Sequence, residues 1–158
     1  MAERRYWLFK SEPTSYSFSD LVNEPDRTCE WDGIRNYQAR NYIRDDMRVG
    51  DGVLFYHSSA DPLAVVGTAR IVREAYPDST AWDPGDKHYD PKSDPGNPTW
   101  MMVDIQAEQE FVRPVTLKDI KENPRLPDML VARRGMRLSI QPVTSAEWEE
   151  VVALGSQS

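Results

Sequence analysis

Trp31-Asp32-Gly33-Ile34-Arg35-Asn36-Tyr37 packs an aromatic, a flexible turn and several donors and acceptors into seven residues. Lys10-Ser11-Glu12, just before Pro13, forms a second polar cluster at the end of an apolar run. An indole offers a flat surface to a planar ring, and hydroxyl, carboxylate, amide and ammonium groups read that ring's edge. Ser139 and Gln141 add two more polar groups, which strand alternation puts on the face opposite Ile140. Each cluster also has a plainer use. Lys10 and Glu12 suit an ion pair beside a turn, Trp31 suits a core, and Asn36, Arg40 and Arg44 suit a solvated helix face. Their coexistence in one small chain is what points to a site.

Other chemistries are poorly served. His57 and His88 are the only histidines and Cys29 the only cysteine, with no ligand spacing between them, so no metal is expected. Gly50-Asp51-Gly52 lacks the later glycine and the strand–helix context of a phosphate loop. Ser58 and Ser59 lack the flanking glycines of a nucleophile elbow. Nothing calls for a cofactor.

The elements that must position these groups are readable from local signals. Tyr6–Lys10 and Val53–His57 are short apolar runs of strand length. Ser17-x-x-Asp20 has capping-box spacing and predicts a helix over about 17–24 that stops at Pro25. Ala39, Ile43 and Met47 give one helical apolar face. Leu63–Val72 is a long strand with Gly67 as a bulge or close approach, and Trp100–Ala107 is another, with Phe111–Val115 a candidate partner. Thr116-x-x-Asp119 and Thr144-x-x-Glu147 open two further helices, the last ended by Gly155, with a helical turn at Met129–Arg134 between them. Ser139–Val143 reads as an edge strand because Pro142 cannot donate to a ladder. The Tyr76–Pro98 stretch, rich in proline and aspartate, forbids regular structure; loops this long are functional or disordered. The sum is one α+β domain over residues 1–158, with its core over about 6–154.

At 158 residues the chain is long enough for a real core, and no apolar run approaches a membrane span. With one cysteine and no signal-peptide apolar region, an intracellular protein is expected, cytoplasmic or, in a eukaryote, nuclear. The net charge of −7 argues against indiscriminate nucleic-acid binding. Local charge differs: Arg35, Arg40 and Arg44 face one acid between Trp31 and Arg44, and Val131–Val143 holds three arginines and none.

The blocks Tyr6–Pro13, Trp31–Arg40, Phe55–Ser58, Glu74–Asp78, Tyr89–Ser93 and Arg137–Val143 resemble the EVE domain, over nearly the whole chain. The resemblance implies a PUA-like fold, a small twisted β-barrel of five to six strands with short helices at the connections, related to the YTH readers of N6-methyladenine. It implies a non-enzymatic reader that binds nucleic acid through a modified base, with modified cytosine in DNA favoured, flipped into an aromatic pocket. Trp31 matches one cage tryptophan, Tyr89 falls near a second, and Ser139 stands where an aspartate meets the base edge. Lys10, Ser11, Glu12, Asp32, Gly33, Asn36, His57, Ser58 and Gln141 complete the expected pocket. Arg35, Arg40, Arg133 and Arg134 are expected on flanking phosphates. The alternative is a small PUA-like amidohydrolase acting on acylated cytidine through Lys10 and Glu12. A protein-binding adaptor using the 76–98 loop is a third reading.

Overall fold

The computed structural model describes residues 4–157. Its apolar runs lie side by side. β1 (Tyr6–Ser11) runs parallel to β3 (Gly52–His57), with Phe9 opposite Phe55, and antiparallel to β6 (Ile140–Val143). β4 (Ala64–Pro77) pairs with β3 and with β5 (Met101–Thr116), and β2 (Thr28–Glu30) adds to the outer side of β5. One mixed sheet results, in the order β2-β5-β4-β3-β1-β6. Register shifts along the β3–β4–β5 ladders are bulges that bend and twist these long strands. The ladder itself stays open, with β2 and β6 as its two edges.

Both faces of the sheet are covered, which is why the central strands read as continuous apolar runs instead of alternating. Trp7, Phe9, Val53, Phe55, Ile71 and Ile105 face one core, shared with Leu21, Ala39, Ile43 and Met47. Leu8, Leu54, Tyr56 and Val65 face the other, shared with Ile120, Met129, Trp148 and Val151.

Four short helices close these cores: α1 (Phe18–Val22), α2 (Tyr37–Asn41), α3 (Leu117–Glu122) and α4 (Ser145–Gly155). Complete capping boxes start α1, α3 and α4 at Ser17, Thr116 and Thr144. α1 ends at Val22, earlier than its sequence suggests, because Glu24, before Pro25, must be extended. After α2 comes one π turn, Tyr42–Asp46, closed by the Met47 N–H on the Tyr42 carbonyl at 3.0 Å. Ala39, Ile43 and Met47 all remain fully buried across it. A 3-10 turn, Leu130–Ala132, takes the place of the helical turn read at Met129–Arg134.

Two expectations about strand extent are corrected. Phe111–Val115 is not a separate strand; β5 continues through the exposed Glu108–Glu110 stretch and pairs with β4 along its length. β4 likewise continues to Pro77, into the stretch read as irregular. α4 does end at Gly155, where the Phe111 ring leaves no room for a Cβ. Gly67 does mark a bulge and a close approach: a Cβ there would sit 2.5 Å from Phe18 Cζ and 2.7 Å from the Gln109 carbonyl oxygen. Among the described residues, no helix is long and apolar enough to cross a membrane.

Candidate functional site

Strand ends gather the polar clusters. The Lys10 N–H donates to the Ser139 carbonyl at 2.8 Å, which carries the β1–β6 pairing one residue further and sets Ser139 beside Lys10. The Glu12 carbonyl accepts from the Ser15 and Tyr16 N–H groups, and Ser11 Oγ donates to the Tyr16 carbonyl at 2.5 Å, so the chain folds back after Pro13. The Trp31 N–H donates to the Val103 carbonyl at 2.8 Å, holding the segment after β2 against β5. Between these pieces opens a cleft of about 900 Å³ lined by Lys10–Glu12, Ser15, Tyr16, Glu24, Cys29–Ile34, Gly85–His88 and Ser139.

Trp31 forms part of the cleft wall. Its ring packs against Phe9 (centroids 5.3 Å), Phe55 (5.6 Å) and Tyr16 (6.2 Å), and 9% of the residue is exposed. It is thus a core aromatic with one margin open to the cleft. The Tyr16 hydroxyl is buried beside the Cys29 thiol with no hydrogen-bond partner of ordinary geometry. Burial, joined by nearby carboxylates, pushes the tyrosine up and raises Cys29 to about 11, so the thiol stays protonated and unreactive. Burial, then the Asp78 and Asp86 charges, raises Asp32, while burial lowers Lys10.

The far wall is the 76–98 loop, which is highly organised. Asp83, Asp86, Asp90 and Asp94 each accept the N–H two residues on, so the aspartates serve as turn caps. Its anchor is Asp78, fully buried. One carboxylate oxygen accepts the Gly33 N–H at 2.8 Å and Arg35 Nη1 at 3.0 Å; the other accepts the Thr80 N–H and hydroxyl. Burial works to raise this carboxyl, but hydrogen bonds from Thr80, Gly33 and Arg35 outweigh it and hold it below the usual range. Arg35 also donates twice to the His88 carbonyl, at 2.7 and 3.0 Å. The His88 ring lies against Gly33, whose φ of +79° and lack of a Cβ permit that contact.

Several expected site residues have other work. Tyr89 is 41% exposed and does not line the cleft; the turn capped by Asp86 presents His88 there instead. Gln141 is buried in β6 opposite Leu8, its amide donating to the Leu138 carbonyl, and it does not share the cleft with Ser139. His57 Nε2 accepts the Phe18 N–H at 3.1 Å, which ties α1 to the end of β3 and fixes the ring as a neutral acceptor. Asn36 is the N-cap of α2, accepting the Ala39 N–H. Arg35 and Arg40 are not free for phosphates: Arg35 is held by Asp78 and His88, and Arg40 donates to the Thr99 carbonyl and Asn41. Tyr16, Cys29, Glu30 and His88 were not read as site residues. Within the 76–98 loop the resemblance drew attention to Tyr89, and no local signal set His88 apart from it.

Ser58, Arg133 and Arg134 fall elsewhere together. With Lys10, Lys121, Tyr56 and Met136 they line a neighbouring groove of about 510 Å³ that contains four cations and no carboxylate. Lys10 belongs to both sites, and its ammonium donates to the Met136 carbonyl at 3.3 Å on the groove wall.

The EVE domain profile matches residues 5–154. The chain belongs to the EVE domain family. Human thymocyte nuclear protein 1 is 40% identical over 94% of this chain and 73% of its own, and the zebrafish (Danio rerio) protein 41% over 96% and 72%. The crystal structure of human THYN1 protein in complex with 5-methylcytosine-containing DNA superimposes on this EVE domain with a TM-score of 0.90, at 38% identity, covering 98% of this chain and 99% of that one. The YTH domain of Zygosaccharomyces rouxii MRB1 protein, solved with N6-methyladenosine RNA, superimposes with a TM-score of 0.57 at 12% identity, covering 98% and 88%, and shares the fold.

Proposed function

We propose that this EVE domain is a non-enzymatic reader of a modified nucleobase, with modified cytosine in DNA the favoured ligand. The base leaves its stack and enters the Trp31 cleft, where the open margin of the indole, Tyr16 and His88 provide flat walls. Asp32, Ser11 and Ser139 meet its polar edge. The backbone lies along the neighbouring groove, where Arg133, Arg134, Lys121 and Lys10 hold phosphates without reading sequence. The carrying observation is a cleft with a tryptophan wall beside an all-cationic groove, in a chain so similar to a protein solved with 5-methylcytosine-containing DNA. The cleft volume of about 900 Å³ suits a small-ligand site. Unstacking a base costs a few kcal/mol. Aromatic contact contributes about 1–3 kcal/mol per base, so the edge hydrogen bonds must supply the rest.

Trp31 is a poor residue to truncate, since removing a buried tryptophan costs about 3–5 kcal/mol of stability. Filling the cleft from its rim is cleaner. In anisotropy titrations, the wild-type protein is expected to bind an oligonucleotide with one 5-methylcytosine more tightly than its plain counterpart. Ser139→Trp is expected to abolish that preference without changing the melting temperature. Equal affinity of the wild type for the two oligonucleotides overturns the proposal.

One observation favours an amidohydrolase instead: burial lowers Lys10 toward the neutral amine that a nucleophile requires. Deacetylation of acetylated cytidine, lost in Lys10→Ala, would establish that activity. Absence of turnover removes it.

A further inference from the structure

Cleft and groove carry opposite charge. Glu12, Glu24, Glu30, Asp32 and Asp86 line the cleft against the ammonium groups of Lys10 and Lys87, whereas the groove has cations alone. Some of these carboxylates add to burial in raising the groups that titrate there, Asp86 acting on Asp32, and Glu24 and Asp32 on Cys29, while His88 and Lys87 lower Asp32. The Lys10 ammonium is engaged on the groove wall, where it donates to the Met136 carbonyl at 3.3 Å. An anion entering such a space gives up water and meets like charges; a neutral ring meets neither penalty.

We infer that the cleft sorts cytosine modifications by charge, taking bases whose 5-substituent is neutral, such as methyl or hydroxymethyl, and turning away those that carry a carboxylate. This rests on the base-reading function proposed for the same cleft and adds the class of modification it accepts. The same field keeps phosphates out of the cleft and in the groove, which orients the strand. Glu12, Glu30 and Asp32 are exposed, so solvent and salt screen them. The discrimination is therefore moderate, on the order of tenfold near 0.1 M salt, where charges interact over about 10 Å.

The test uses oligonucleotides identical except for one position holding cytosine, 5-methylcytosine, 5-hydroxymethylcytosine or 5-carboxylcytosine. Each is titrated at two salt concentrations against the wild type and a Glu12→Gln, Glu30→Gln double variant, whose exposed side chains make no ion pair among the described residues. The carboxyl ligand is expected to bind about tenfold more weakly than the methyl ligand, with a wider gap at low salt. In the double variant the carboxyl ligand gains affinity relative to the methyl ligand, whatever change the two share, and the gap narrows. Carboxyl and methyl ligands binding alike overturns the inference, and so does a gap that the double variant leaves unchanged. Failure of base reading shows separately, as equal affinity for cytosine and 5-methylcytosine. The carboxyl-to-cytosine ratio then still decides whether charge is sorted.

Discussion

Asp78 has no exposed surface, yet its two oxygens serve a backbone N–H, a guanidinium and a hydroxyl from separate segments. Asp78→Ala removes that hub and leaves Arg35 facing a void, so a loss of about 3 kcal/mol is expected in urea denaturation. The pH dependence follows from the direction of its shift. The folded carboxyl titrates below the unfolded value of about 3.9, so its stabilisation is complete above that value and fades as pH falls through the lower, folded one. Asp78→Asn is expected to flatten that acid limb of the stability profile. Contiguous site residues, Lys10–Glu12 and Trp31–Gly33, were legible in the sequence because a motif carries its own spacing. Arg35 was not: its partner Asp78 stands 43 residues away, and the sequence alone shows an arginine without showing what neutralises it. His88 was displaced from notice by Tyr89 because an Asx turn, with no periodicity, decides which ring faces inward.

At the scale of elements, the capped helices were readable because a capping box is a local event, complete within four residues. β2 was not, being three residues long and defined only by its partners on β5. β5 as one strand was hidden by Glu108–Glu110, where alternation fails across the bulged ladder. Two substitutions separate structural from ligand-facing polarity here. Asn36→Ala removes the α2 cap and is expected to lower stability by about 1 kcal/mol while leaving oligonucleotide affinity unchanged. Gly67→Ala forces a methyl against the Phe18 ring and the Gln109 carbonyl, and is expected to cost about 1–3 kcal/mol by thermal denaturation.

For the whole molecule, the proposed reading sets a cationic groove against a net charge of −7, and it predicts that affinity for DNA falls steeply as salt rises. Arg133→Ala and Arg134→Ala are each expected to weaken modified and plain oligonucleotides alike, and to reduce the slope of log K against log salt by about 1. An unchanged slope would place the phosphates elsewhere. The open sheet has a further consequence. A strand from another molecule docks only where backbone groups lie unpaired, at the sheet's two borders. One border is a three-residue segment preceded by Asp26 and Arg27 in left-handed backbone, and the other contains Pro142, which has no N–H to offer. Those two segments offer an invading chain little, and because β2 pairs with only Asp104–Gln106 of the sixteen-residue β5, any template for fibrous growth lies along the rest of that strand's outer side.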